Sequence, residues 1–278
     1  MAQVSLSEYV NERYSNVARS ARSSEYSGNV ASLFGYSHEE LEKIPGGANM
    51  GLSCGNPTAV ANIRKGEVVV DLGCGGGMDV FLAAEKVGST GKVIGLDFSK
   101  VTIDLPKRNA IKRVDKENVR FELAEITSMP LSNNTVDCVI SNCVINLVPD
   151  AEKQRVMDEI FRILKPGGRL SISDIAARKP LPAEVRSDLS SYVGCVSGAL
   201  EVTRYREMLM SAGFPDAVFF DMKTDLGVYK SANDNSSGCC SSKACCASDN
   251  RLGGIPSTLD YDINEFAGSF QIYALKSE

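Results

Sequence analysis

A doubly wound α/β sheet is the fold the sequence predicts, on two observations. Short β-rich runs alternate with helix-patterned stretches from about residue 67 to 175, and a glycine cluster joins the first run to the first helix. The first run, Glu67 to Leu72, is nearly continuous in apolar residues, as in a strand covered on both faces.

The elements follow in order. After the glycines, Met78 to Val87 is helix-patterned, and beyond a glycine-containing turn Lys92 to Asp97 supplies the second strand. A second helical stretch runs to about Val114. Pro106 interrupts it, at a cost of about 3 kcal/mol in a helix interior, so the helix should start near Pro106 or bend there. Val119 to Ala124 and Val136 to Ser141 give two more strands. A helix over 151–164 should stop at Lys165-Pro166-Gly167-Gly168, ahead of a fifth strand from Arg169 to Ile175.

The core domain is thus 67–176, preceded by a helical segment, 1–66, with two helices and the loop Gly51-Leu52-Ser53-Cys54-Gly55-Asn56-Pro57. The region 177–278 looks mixed, with helix signals near 182–193 and 203–212 and a terminal β run from Phe270 to Leu275. Within it, 231–258 is small, polar and poor in large apolar residues, the composition of a mobile loop. No internal repeat is visible.

Several function classes are excluded or disfavoured. The net charge of -5, with Lys and Arg scattered, provides no basic stripe for nucleic acid. No apolar run approaches membrane-spanning length and the first residues lack a secretory pattern, so a cytoplasmic, monomeric protein is expected. Nine cysteines is an odd number and several lie in strand-like runs, which fits thiols better than a disulfide framework. The single histidine, His38, looks like an exposed residue at a helix start.

The loop Asp71-Leu72-Gly73-Cys74-Gly75-Gly76-Gly77-Met78 ends a strand and opens a helix, where backbone can approach a nucleotide-like cofactor. Met78 stands where a dinucleotide fingerprint wants Gly or Ala. Asp97, ending the second strand, can accept hydrogen bonds from both hydroxyls of a ribose.

This spacing resembles the first motif of class I S-adenosylmethionine methyltransferases. The resemblance implies that Asp71, Gly73, Gly75, Gly77 and Met78 face the methionine part of the cofactor. It places Asp97 at the ribose, Glu125 and Ile126 around adenine, and Asn142 at the methionine end.

The cysteines narrow the acceptor. Hydroxyl or amine acceptors often require a base, and the only histidine lies outside the core. Trivalent arsenic has a lone pair and no proton to lose, and soft thiolates are its natural holders. From about residue 26 to the final strand the chain resembles the arsenite methyltransferases. The segments that carry the resemblance are Tyr26 to Ala31, Gly51 to Pro57, Ser141-Asn142-Cys143-Val144-Ile145-Asn146-Leu147 and Gly194-Cys195-Val196-Ser197-Gly198-Ala199-Leu200.

The resemblance implies that Cys54 and Cys195 bind arsenite or methylarsenite, with glutathione or thioredoxin as thiol reductant. Cys138 reads as core, Cys74 as a loop filler and Cys143 as packing beside Asn142. The chain departs from the family pattern at Val80 and at Asn264-Glu265-Phe266, where relatives carry cysteines. Cys239, Cys240, Cys245 and Cys246 are the remaining thiols that could capture arsenite or relay electrons. Two alternatives stay open on sequence: a carbon or oxygen methyltransferase similar to quinone-biosynthesis enzymes, and a metalloid-sequestering protein without catalysis.

Overall fold

The computed structural model describes residues 6–19, 24–111, 117–183, 186, 196–227 and 262–278. Its centre is a seven-stranded sheet in the order β3-β2-β1-β4-β5-β7-β6. The strands are β1 (Val68–Leu72), β2 (Lys92–Asp97), β3 (Val119–Leu123), β4 (Val136–Asn142), β5 (Leu164–Ala177), β6 (Val218–Asp221) and β7 (Ala267–Leu275). The first five are parallel, and β7 runs antiparallel between β5 and β6. The doubly wound architecture read from the sequence is therefore present, extended by an antiparallel edge.

Alternation along the central strands explains the two-sided burial. Val70 and Leu72 of β1 pack into one apolar cluster with Val156, Met157, Ile160 and Tyr205. Val69 points the other way, into a cluster with Val80, Phe81, Val93 and Ile140. The first cluster lies under α7 (Lys153–Ile163) and α8 (Val202–Ala212), and the second under α5 (Met78–Val87). A strand wet on one face would read as alternating polar and apolar residues; β1 does not, because helices cover both faces.

Four helices precede the sheet: α1 (Leu6–Arg19), α2 (Ser24–Leu33), α3 (His38–Lys43) and α4 (Pro57–Val60). The sequence predicts two. The shorter ones are started by caps rather than by periodicity: Ser37 and Glu40 form a reciprocal capping box at α3, and the Asn56 side chain accepts from the Ala59 N–H at α4.

Helix α6 (Lys100–Ile111) begins at Lys100 and passes through Pro106, so of the two expectations the start near Pro106 is not met. Its start is fixed by the end of β2: Asp97 Oδ1 accepts the Ser99 N–H at 2.9 Å, and Ser99 Oγ accepts the Thr102 N–H at 3.4 Å. Burial of Thr102, Ile103, Pro106 and Asn109 on one face offsets the hydrogen bond that proline cannot make. Helix α7 ends at Ile163, ahead of Lys165–Gly168 as expected, but β5 begins at Leu164 rather than Arg169; Val136 pairs with Leu164 and Cys138 with Arg169, so the register shifts across the intervening residues. Strand β6 was not foreseen, since four residues leave too short a pattern to read.

Of the helix signals past the core, 203–212 is realised as α8, while most of 182–193 and the whole of 231–258 lie outside the described residues. No helix among the described residues is long and apolar enough to cross a membrane.

Candidate active site

The strand order reverses between β1 and β4, and in open α/β sheets the crevice beyond the strand ends at that point is where ligands bind. A cavity of about 300 Å³ lies there. Asp71, Gly73, Gly75, Met78, Asp97, Glu125, Ile126 and Asn142 all line it. Gly77 stands behind the wall as the N-cap of α5, where an added Cβ would come within 2.9 Å of Phe81 and Pro106. Val10 and Tyr14 of α1 and Met50 of the loop before α4 close the other side.

The glycine loop is shaped by close approach. At Gly73 (φ +66°) an added Cβ would strike the side chain of Val144, itself a cavity residue. The Gly75 N–H donates to Asp97 Oδ2 at 3.1 Å, which ties the loop to the end of β2.

Three buried carboxylates converge here. Asp71 is raised well above the usual carboxylate range, by burial and then by the nearby charges of Asp79 and Asp97. Asp79 and Asp97 are each pushed up to about 6, with burial the main cause. Asp79 keeps partial compensation from hydrogen bonds donated by Tyr36 and Asn142, and Asp97 from the backbone of Ser99 and Gly75. A pocket built this way favours a ligand that brings positive charge and hydroxyl donors.

Asn142 is the hinge between this cavity and the loop holding Cys54. Its Oδ1 accepts the Cys54 N–H at 3.0 Å, and its Nδ2 lies 2.9 Å from the Gly55 carbonyl and 3.2 Å from Asp79 Oδ2. Tyr36 donates to the other Asp79 oxygen at 2.7 Å. The approach of the loop to β5 is close enough that an added Cβ on Gly55 would lie 2.8 Å from the Ser173 Cβ.

Cys54 is buried and joined in a disulfide to Cys143, the residue after β4, with Cα atoms 5.6 Å apart, so both sulfurs act as thiolates only after this bond is reduced. Cys143 packs in an apolar cluster with Ile175, Val196 and Leu226, the role the sequence reading gave it, and it also lines the cavity. A carboxylate oxygen of Asp174 lies within 4.8 Å of both sulfurs. Burial pushes the Asp174 carboxyl up to about 7, against hydrogen bonds from Ile175 and Asn146 and the charge of Lys153.

Cys195 and Cys239, Cys240, Cys245 and Cys246 lie outside the described residues. Cys74 and Cys138 are free, buried thiols, and burial pushes Cys138 up to about 12. His38 is exposed and 3.3 Å from Glu42. Asp79, Cys143 and Asp174 are what the sequence reading did not place in the site. A signal existed for two of them: Cys143 sits in the distinctive Ser-Asn-Cys-Val-Ile-Asn segment, and Asp174 is a carboxylate between Ile172-Ser173 and Ile175-Ala176-Ala177 in a strand-patterned run.

Comparisons with known proteins agree with this geometry. A methyltransferase domain family model matches residues 63–213. The chain is 42% identical over 224 residues to an arsenite methyltransferase of Halobacterium salinarum, covering 74% of this chain and 56% of the relative. It is 34% identical over 154 residues to the human arsenite methyltransferase, covering 52% and 40%. The chain thus spans about half the length of the curated relatives it matches. Among solved structures it is similar to an arsenic(III) S-adenosylmethionine methyltransferase of Chlamydomonas reinhardtii, with TM-score 0.61, 27% identity and coverage of 89% of this chain and 72% of that one. A phosphoethanolamine N-methyltransferase of Haemonchus contortus shares the fold at TM-score 0.67 and 18% identity, covering 99% and 61%. The matched span takes in β1, the glycine loop, Asp97, Asn142 and α8, and so the strand-end wall of the cavity: this protein belongs to the methyltransferase domain family.

Proposed function

We propose that the chain transfers a methyl group from S-adenosylmethionine to trivalent arsenic held by cysteine thiolates. The observation that carries this reading is the meeting of Cys54 and Cys143, 89 residues apart in sequence, at the wall of a carboxylate-lined cavity. The names of the arsenite methyltransferase relatives support it.

The donor set fits the cofactor. Its sulfonium and ammonium charges match Asp71, Asp79 and Asp97, and its ribose hydroxyls match Asp97. Asp71, Gly73, Gly75 and Met78 hold the methionine part, with Gly77 setting the loop from behind, and Glu125 and Ile126 surround adenine. Asn142 acts by fixing the Cys54 backbone. When bound, the cofactor supplies an electrophilic methyl on a sulfonium.

No protein base is required, because the arsenic lone pair attacks directly and holding it in line with the methyl is the main task. Cys54 and Cys143 provide two soft ligands. Cys195, the ligand that the family resemblance implies, joins at the methylation step, and Cys239, Cys240, Cys245 and Cys246 serve capture or electron relay. The new As–C bond uses the arsenic lone pair as the C–S bond breaks, releasing S-adenosylhomocysteine and leaving arsenic formally pentavalent. Two thiols then reduce it as they form a disulfide, and glutathione or thioredoxin restores them. This chemistry suits a monomer in a reducing, cytoplasmic setting.

The test is incubation of the purified chain with arsenite, glutathione and radiolabelled cofactor, followed by separation of arsenic species. Labelled methylarsenicals are expected from wild type, and less than about 1% of that from Cys54→Ser, Cys143→Ser or Cys195→Ser, a loss beyond about 2.7 kcal/mol. Arsenite binding without labelled product would leave a sequestering protein instead.

A further inference from the structure

Asp174 lies within the fully buried stretch of β5, and its own exposure is 0%. Its Oδ1 accepts from Asn146 Nδ2 at 2.8 Å and from the Ile175 N–H at 3.0 Å. Its Oδ2 has no hydrogen-bond partner among the described residues. Burying a carboxylate oxygen without a donor is costly, and such a group persists where a ligand supplies the donor. The Sγ atoms of Cys54 and Cys143 and a carboxylate oxygen of Asp174 lie within 4.8 Å of one another, all on buried residues.

Arsenous acid has three hydroxyls. Condensation with two thiols forms two As–S bonds, breaks two As–O bonds and releases two waters, each made from one thiol proton and one hydroxide. One hydroxyl donor remains on arsenic. We propose that Asp174 accepts the hydrogen bond from this hydroxyl, so that the site recognises hydroxylated trivalent arsenic through one carboxylate beside two thiolates. Arsenic captured this way carries two sulfurs and one oxygen before any third thiol enters. Asp174 is thereby a specificity-determining residue: it favours a hydroxyl over a carbon substituent at the third position. The inference rests on the thiolate reading given above.

Two titrations of the reduced full chain test it, with a phosphine as reductant so that no small thiol competes. One uses arsenite; the other uses phenylarsine oxide, which keeps a phenyl group where arsenite keeps its hydroxyl. Asp174→Asn retains the shape and presents an NH₂ in place of Oδ2. Arsenite affinity should fall at least tenfold in this variant while phenylarsine oxide affinity stays within twofold. Unchanged arsenite affinity, or equal losses for both, overturns the proposal. X-ray absorption of the wild-type arsenite complex requires no variant: two sulfur neighbours and one oxygen are expected, and three sulfurs overturn it. Failure of the thiolate reading looks different, because phenylarsine oxide would then bind Cys54→Ser and Cys143→Ser as tightly as wild type.

Discussion

The side-chain amide of Asn142 holds the Cys54 backbone, accepting the Cys54 N–H at 3.0 Å and approaching the next carbonyl, that of Gly55, at 2.9 Å. One residue at the end of β4 therefore sets the distance between the methyl-donor cavity and the cysteine loop. Asn142→Ala leaves the Cys54 N–H without its partner, which should destabilise the protein by about 2 kcal/mol. Arsenite affinity should fall at least tenfold, with S-adenosylhomocysteine affinity changed less than threefold. Calorimetric titration with each ligand checks this; the reverse pattern would make Asn142 a cofactor contact first.

Burial raises Asp79 and Asp97 to about 6 from an ordinary 3.8. Because their protonated forms are favoured in the folded chain, their contribution to stability is complete below the ordinary value and is lost as pH rises through about 6. Binding of a cationic cofactor has the opposite requirement, ionised carboxylates. The melting-temperature increase given by saturating S-adenosylhomocysteine at pH 8 should therefore shrink as pH falls from about 7 to 5. An increase that is flat over that range would separate these carboxylates from the cofactor's ammonium.

Gly73 combines a left-handed backbone with a Cβ direction that points into Val144. Gly73→Ala should cost about 2 kcal/mol or more, from the backbone conformation and the overpacking together. Since Val144 also lines the cavity, cofactor affinity should drop at least tenfold. Thermal melts with and without S-adenosylhomocysteine read both effects.

Arg169, at 7% exposure, meets the Glu67 carboxylate through two contacts of 2.6 and 2.9 Å, and also donates to the carbonyls of Ala61 and Asn62. This pairing fastens the end of the N-terminal segment to β5, away from the chemistry. Glu67→Ala leaves a nearly buried guanidinium without its counterion, at about 3 kcal/mol. Denaturant unfolding should show that loss, while methylation at a temperature where the variant is folded stays within twofold of wild type.

The sequence by itself determined the doubly wound sheet, the bounds of α5 and β2 and the cavity residues at the ends of β1 and β2, with Asn142 at the end of β4 supplied by the family resemblance. Those features are local: apolar runs, a glycine cluster and strand-end acids write their own geometry within a few residues. The start of α6 and the register shift in β5 escaped it, because a cap from Ser99 outweighed Pro106 and pairing with β4 carried the strand back to Leu164.

Only the tertiary structure decided which groups share the space beside the cavity. Cys143 reads as packing when judged by its neighbours in sequence, yet the Gly51–Pro57 loop, held by the Asn142 amide, brings Cys54 against it. Asp174, in the buried part of β5, comes to the same place by the pairing of β4 with β5. Sulfur and carboxylate do not mark their partners along the chain; the parallel order of the sheet brings the ends of β4 and β5 to one edge, and the N-terminal loop docked there through Asn142 adds Cys54.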